Sequence, residues 1–176
     1  VITGICDNVA HAVDDLNGSL REVFAAGDDL GLAFSGAGTH PFGQWRDQKI
    51  FPNARYQKLV DKIQWPARRL LIYGLHVHVG LSSGEKAIAV SNALASYLPH
   101  LLALSASSPY VDFEDTGLAS TRSKIFEGMP TAGLPYRLAH SGEFQQFMHT
   151  LVRAKAIETI REIWWDIRPH PSFGTL

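Results

Sequence analysis

The feature that most constrains the fold is the sequence GLHVHVG at residues 74–80, the histidine segment. Apolar residues alternate there with two histidines, and successive side chains of a strand point to opposite faces. One face would therefore be apolar and the other would display His76 and His78, whose Cα atoms would lie about 6.6 Å apart. We predict a strand over residues 72–80 with its apolar face packed on a core.

Two interpretations of these histidines remain open. Imidazole nitrogens bind divalent metals or phosphate, a strand fixes their direction, and the flanking Gly74 and Gly80 would allow a ligand to approach closely. Alternatively, His76 and His78 are surface residues on a half-exposed sheet. The alternation by itself fits both interpretations.

A second alternating pattern occupies residues 162–168, the tryptophan segment, which we also predict to be a strand. Its apolar face consists of Ile163, Trp165 and Ile167. Asp166 and Arg168 share the opposite face with Trp164. The Arg168 guanidinium is a fork of donors suited to phosphate or carboxylate. The alternative is an Asp166–Arg168 surface ion pair, worth under ~1 kcal/mol.

If both segments lie in one sheet with their polar faces aligned, the polar side chains of the two segments form one ligand-facing surface. Its members would be His76, His78, Asp166 and Arg168.

The remaining elements follow from periodicity, caps and breakers. We predict helices over residues 7–26 and 55–65, from Ser83 with a kink or restart at Pro99, and from Ser141, with a short strand at residues 30–34. Residues 105–135 form a long irregular stretch, either functional or held down by its neighbours. Its acidic turn, residues 112–115, either gathers Mg²⁺ or is simply solvated. Arg122, further along, is a single cation that could bind an anion.

Composition excludes several classes of protein. Of 176 residues, 16 are Lys or Arg and 17 are Asp or Glu, a net charge of −1 that does not favour a nucleic-acid partner. The 45% hydrophobic content excludes intrinsic disorder. The single cysteine, Cys6, excludes an internal disulfide and indicates a reducing, cytoplasmic compartment. No apolar run reaches the ~18 residues of a membrane-spanning helix, so we expect no membrane partner.

Four stretches in order resemble one family of bacterial carboxylate–amine ligases, the glutamate–cysteine ligase type 2 family. The histidine segment looks like its GxHVHVG strand. Residues 104–110 (LSASSPY) and 115–122 (DTGLASTR) are similar to its LSASSPx…DTGxASxR segment. The other two matches are GTHPF at residues 38–42, before these stretches, and WDIRPHPSFGTL at residues 165–176, after them.

The resemblance implies an α+β fold, the glutamine-synthetase-like catalytic domain. A mostly antiparallel curved sheet would have helices on its outer face and the active site in its concavity. The implied reaction uses ATP and Mg²⁺: a carboxylate, that of glutamate, becomes an acyl phosphate, and the amine of cysteine displaces the phosphate. Cations must hold the transferring phosphoryl group. We expect small-molecule substrates, and the resemblance leaves room for a homo-oligomer.

The resemblance also implies roles for particular residues. His76 would face the metal or the phosphate, and His78 would lie on the same face near the reacting groups. Arg168 would bind phosphate oxygens. Asp166 would orient Arg168 or contact substrate, and Arg122 would contact the substrate carboxylate or phosphate.

Two family features are absent from these 176 residues: an initial strand with a GxExE pattern and the glutamate that follows FGTL. Both would supply acidic metal ligands. We therefore expect residues 1–176 to be a single domain that is part of a larger ligase catalytic domain, and to be inactive alone.

Three rival functions stay open. One is a ligase of the same fold that uses another amine or carboxylate. Another is a binding module of the same architecture with a degenerate site. The third is a histidine-based metallohydrolase, in which a carboxylate or a third histidine, His40 or His170, would join His76 and His78 as a metal ligand.

Overall fold

The computed structural model describes residues 1–176, which form two compact units, residues 1–36 and 37–176. The molecule is of the α+β class, as expected. The seven α-helices are α1 (Val9–Leu30), α2 (Ala54–Ile63), α3 (Trp65–Arg68), α4 (Gly84–Ala95), α5 (Leu98–Ser105), α6 (Thr121–Phe126) and α7 (Ser141–Arg153). The strands are β1 (Tyr110–Val111), β2 (Glu114–Asp115), β3 (Ala132–Gly133) and β4 (Trp164–Trp165).

The first unit is built on α1, which is longer than the sequence predicted. Asn8 caps its start by accepting from the His11 N–H at 2.9 Å, and Gly31 ends it in the left-handed region with φ 66°. The predicted end at residue 26 and the predicted strand at residues 30–34 are wrong. Gly27 lies inside the helix, and its missing side chain leaves room for the Phe34 ring: a Cβ there would come within 2.2 Å of Phe34 Cε2.

In the second unit, two helices separated by one residue replace the predicted single helix at residues 55–65. Gln64 adopts φ 61°, which ends α2 and lets α3 begin at Trp65. Pro66 therefore starts a helix instead of closing one, because its missing N–H lies in a first turn where no partner is needed.

The predicted start and restart of the next helix are confirmed. Ser83 caps α4 through its Oγ, which accepts from the Lys86 N–H at 3.2 Å. Pro99 lies in the first turn of α5, and the axes of α4 and α5 differ by 67°. None of the helices is by itself long and apolar enough to cross a membrane, while the bent pair α4–α5 meets that test by length and composition only.

Residues 105–135 are held down by hydrogen bonds around Ser108, which is 2% exposed. The Ser108 N–H donates to the Ala119 carbonyl at 3.1 Å, its carbonyl accepts from Thr121 at 3.0 Å, and its Oγ accepts from the Arg122 N–H at 3.1 Å. The β1–β2 hairpin turns at Asp112 and Phe113, both at positive φ. This stretch is thus fixed next to the start of α6.

The core of the second unit joins α4, α7 and the tryptophan segment. The last helix, α7, begins at Ser141 as predicted, and His140 Nδ1 caps it by accepting from the Glu143 N–H at 3.1 Å. β4 pairs in parallel with β3, opposing Trp164 to Ala132. The buried core residues are Ile88, Leu138, Phe144, Met148, Ile157, Ile163 and Trp165.

The tryptophan segment alternates as predicted. Ile163, Trp165 and Ile167 are buried, and Asp166 is exposed. Only Trp164 and Trp165 form ladder pairs, and the residues before Ile163 form a 3₁₀ turn, Ile160–Glu162. The prediction of a two-faced segment is confirmed, and its strand is shorter than expected.

The histidine segment behaves differently. Leu75, Val77 and Val79 are 83%, 73% and 53% exposed, so the predicted packing of this face on a core is wrong. Backbone pairing occurs only near the ends, at the bridges Thr39–Ile72 and Gly80–Thr175, and residues 74–78 make no backbone–backbone hydrogen bond. No segment of the chain lies against this apolar face, and the two segments share no sheet.

Candidate functional site

Four cationic or titratable side chains converge although they come from three separate stretches. Partial burial lowers the pKa of His76 below its ordinary value, and the charges of Arg168, His78 and Arg122, in that order, lower it further. Charges act on a pKa in this way only at short range. The structure therefore places Arg168, His78 and Arg122 within short range of His76, although the histidine and tryptophan segments share no sheet.

Arg122 is mounted on α6 and held over the start of the histidine segment. Its Nε donates to the Tyr73 carbonyl at 3.3 Å, and its guanidinium lies 4.7 Å from the centroid of the Phe126 ring. Phe126 is one helical turn further along α6, the spacing at which side chains of a helix touch. Neither Nη nitrogen of Arg122 donates a hydrogen bond within the chain.

Arg168 is held from the backbone of its own segment. Its Nη1 donates to the Ile163 carbonyl at 2.5 Å. Partial burial and the nearby Arg55 lower the pKa of Arg168, although a guanidinium stays charged at neutral pH. Arg55, in the first turn of α2, adds a further positive charge to this region.

His78 is oriented by the end of the chain. Its Nδ1 lies 3.0 Å from Thr175 Oγ1, which leaves Nε2 without a partner. Its ring centroid is 6.4 Å from that of His76 and 6.2 Å from that of His170. His170 in turn stacks on Phe173 at 4.3 Å, and its buried Nδ1 has no hydrogen-bond partner.

Asp166 does not pair with Arg168. The two ion pairs of the chain are Lys62–Glu162 and Lys124–Glu127, so the expected Asp166–Arg168 surface pair is absent. Partial burial of its carboxyl group raises the pKa of Asp166, Arg122 lowers it and Glu127 raises it. Asp166 thus lies within range of Arg122, and Arg168 is oriented by a carbonyl instead of by Asp166.

The electrostatics of the site suit an anion. No carboxylate forms an ion pair with either arginine, and the free N–H groups include both Nη atoms of Arg122. Guanidinium forks with free donors are the groups that bind phosphate and carboxylate bidentately. The lowered pKa of His76 favours its neutral form, which has a nitrogen lone pair to offer a metal or a proton donor.

The residues of this chain do not by themselves fit a metal ion. No three of its His, Cys, Asp or Glu side chains are arranged to hold one. Neither the acidic turn at residues 112–115 nor the group of His76, His78 and His170 forms such an arrangement. His40 points elsewhere: its Nδ1 accepts from the Gly43 N–H at 2.7 Å. The expected Mg²⁺ role of His76 stays a prediction.

Sequence reasoning missed the residues that orient the site. They are Tyr73, Phe126 and Thr175, together with the charge of Arg55. The contact of Phe126 with Arg122 follows from their spacing of four residues on α6. It was missed because this stretch was predicted to be irregular instead of helical. The contact of Arg122 with Tyr73 spans 49 residues and has no local signal.

Comparison with known proteins agrees with the four motifs. The family model of glutamate–cysteine ligase family 2 matches residues 1–176. A relative from Thermobifida fusca, provisionally named glutamate–cysteine ligase 2, is 52% identical over 176 residues, which are 100% of this chain and 44% of the relative. One from Frankia casuarinae, provisionally named glutamate–cysteine ligase 2-1, is 53% identical over 100% of this chain and 46% of the relative.

A third relative, from Gloeobacter violaceus, is 47% identical over 99% of this chain and 47% of its own length. It is also provisionally named glutamate–cysteine ligase 2. The chain thus spans about half the length of the curated relatives it matches. The chain is thus an α+β protein with a cluster of cationic side chains. More specifically, the chain belongs to glutamate–cysteine ligase family 2.

Proposed function

We propose that these residues form part of an ATP-dependent carboxylate–amine ligase. "The complete ligase" denotes a polypeptide of the relatives' length that contains residues 1–176. The reaction we propose is the joining of glutamate to cysteine through an acyl phosphate. The names of the relatives support a ligase, and the unpaired cations around His76 support chemistry on anions.

The observation that carries the proposal is the convergence of Arg122 and Arg168 with His76, with no acid paired to either arginine. Phosphoryl transfer needs positive groups fixed where charge accumulates. Arg168, anchored to the Ile163 carbonyl, would hold phosphate oxygens. His78, oriented by Thr175, would present its free Nε2 to the same group.

In the first step, an oxygen of the glutamate γ-carboxylate attacks the γ-phosphorus of ATP. A P–O bond forms, the bond to ADP breaks, and the acyl phosphate results. In the second step, the cysteine amine attacks the acyl carbon, phosphate leaves, and the nitrogen loses a proton. Arg122 and Asp166 would position the amino-acid substrate. Mg²⁺ would screen the phosphates, and the acidic ligands that hold it would come from outside residues 1–176.

For the complete ligase we also propose the glutamine-synthetase-like curved sheet. The two half-polar segments support it, because each has a polar face turned toward a common group of cations. A rigid sheet concavity would fix those cations relative to the substrate, which lowers the entropic cost of reaching the transition state.

The test is ADP release by the purified complete ligase with glutamate and a panel of amines. We expect release that requires Mg·ATP, glutamate and cysteine together. Arg168→Lys should lower kcat/KM by about 10²–10³-fold, as expected for loss of a fixed donor. Arg153→Lys, at an exposed arginine at the end of α7, is the matched control.

Three results would redirect the proposal. Preference for another amine would keep the ligase and change its substrate. ATP binding without glutamate-dependent turnover would indicate the degenerate binding module. Stoichiometric bound zinc with no ATP dependence would instead support a metallohydrolase.

A further inference from the structure

The Arg122 guanidinium is fixed in place through its Nε and one of its faces, while its two Nη atoms are free to bind a ligand. Its Nε is occupied by the Tyr73 carbonyl, and one face of the guanidinium packs against Phe126. Its backbone N–H is fixed by Ser108 Oγ at 3.1 Å. Both Nη atoms remain without partners, so they are the atoms that can meet an oxyanion.

Gly74 provides the space that the guanidinium occupies. A Cβ at position 74 would lie 3.1 Å from Arg122 Nη2 and 3.9 Å from His76 Nε2. Real Cβ contacts are rarely as short as the first of these. The backbone of Gly74 is not in the left-handed region, so conformation does not require glycine there. The missing side chain instead leaves Arg122 room beside His76.

We infer that Gly74 and Phe126 are positioning residues of the proposed ligase site. They act through Arg122, setting its Nη atoms where they receive an oxyanion of a substrate, either a carboxylate of glutamate or a phosphate of ATP. This inference rests on the proposed function for the identity of the substrate, and on the geometry alone for the placement of Arg122.

The first experiment compares Gly74→Ala with Gly36→Ala in the complete ligase. Gly36 is exposed, has φ outside the left-handed region, and a Cβ there would meet nothing within 4 Å. Because small displacements of a binding group weaken a fixed geometry strongly, we expect Gly74→Ala to raise one KM about tenfold while kcat changes little. Gly36→Ala should change both within about twofold. A rise in KM for ATP or for glutamate identifies the oxyanion.

A double-mutant cycle shows whether Gly74 acts through Arg122. In an Arg122→Ala background, Gly74→Ala should have no further effect on KM, since its target is gone. Phe126→Leu should raise the same KM by a smaller factor, and Phe126→Tyr, which keeps the aromatic face, should restore it. Thermal unfolding midpoints of these variants should match the wild type within the error of the scan.

Calorimetric titration with inorganic phosphate and with glutamate separates this inference from the proposed function. Binding by the wild type that weakens about tenfold in Gly74→Ala, without any turnover, would keep the inference and reject the ligase. Equal affinity in Gly74→Ala and Gly36→Ala, additive effects in the cycle, or no binding of either anion to the wild type would overturn the inference.

Discussion

The tryptophan and histidine segments have the same alternating pattern, but they differ in whether the apolar face is buried. In the tryptophan segment, Ile163 is 2% exposed and Trp165 packs against Phe144 and Phe147. In the histidine segment, Leu75 is 83% exposed. Alternation thus specifies two faces of a segment, and burial of the apolar face requires a partner, which α7 supplies in the first case and no segment supplies in the second.

The largest expected contrast is in stability. Ile163→Ala in the 176-residue chain should lower the free energy of unfolding by about 2–5 kcal/mol, because it removes buried methyl groups and leaves a cavity. Leu75→Ala should change it by no more than about 0.5 kcal/mol, as for an exposed site. Urea unfolding monitored by tryptophan fluorescence measures both. Similar losses in the two variants would contradict the comparison.

Amide exchange should separate the two segments next. The Trp164 N–H donates to the Thr131 carbonyl at 3.2 Å and that of Asp166 to the Gly133 carbonyl at 2.9 Å. Residues 74–78 have no such bonds. After correction for local sequence, we expect the Trp164 and Asp166 amides to exchange at least about tenfold more slowly, as for locally protected groups. Equal protection would show that the histidine segment is paired in solution.

The smallest contrast concerns Glu162, which fixes the start of the tryptophan segment. Partial burial raises the pKa of its carboxyl group, but hydrogen bonds from the Glu158 N–H, Lys62 and the Thr159 N–H outweigh this and lower it overall. A lowered pKa contributes stability that is present above the unfolded-state pKa and is lost as the pH falls through the folded-state pKa.

Glu162→Gln should therefore cost about 1 kcal/mol at pH 7, the difference between hydrogen bonds to a charged acceptor and to a neutral acceptor of the same geometry. Its stability should also fall less steeply below the ordinary glutamate pKa than that of the wild type. Glu158→Gln, an exposed neighbour, serves as the control. Identical acid-side slopes for Glu162→Gln and the wild type would remove Glu162 from this role.

These contrasts show what the sequence could and could not predict. The buried face of Ile163 and Trp165 was predictable because its partner lies within the chain. The exposure of Leu75 was not, because the pattern contains no information about the absence of a partner. The start of α7 at Ser141 was predictable, whereas its cap was not, because histidine is an unusual residue at that position.

The sequence pointed to candidate members of the site and not to its geometry. Alternation singles out His76, His78 and Arg168, and the structure places the charges of His78 and Arg168 within range of His76. The orientation of Arg122 depends on the Tyr73 carbonyl, and that of His78 depends on Thr175, 97 residues away. Such contacts arise from the tertiary fold, for which local periodicity has no signal.

The packing of Phe34 on Gly27 bears on any effort to make this protein more heat-resistant. Replacing glycine by alanine inside a helix ordinarily adds about 1 kcal/mol of stability. We expect this gain in stability at Gly18, where a methyl group would meet nothing within 4 Å. We expect no gain at Gly27, where the methyl group would collide with the Phe34 ring. An engineer working from helix propensity alone would treat the two positions of α1 as equivalent and damage the protein at one of them.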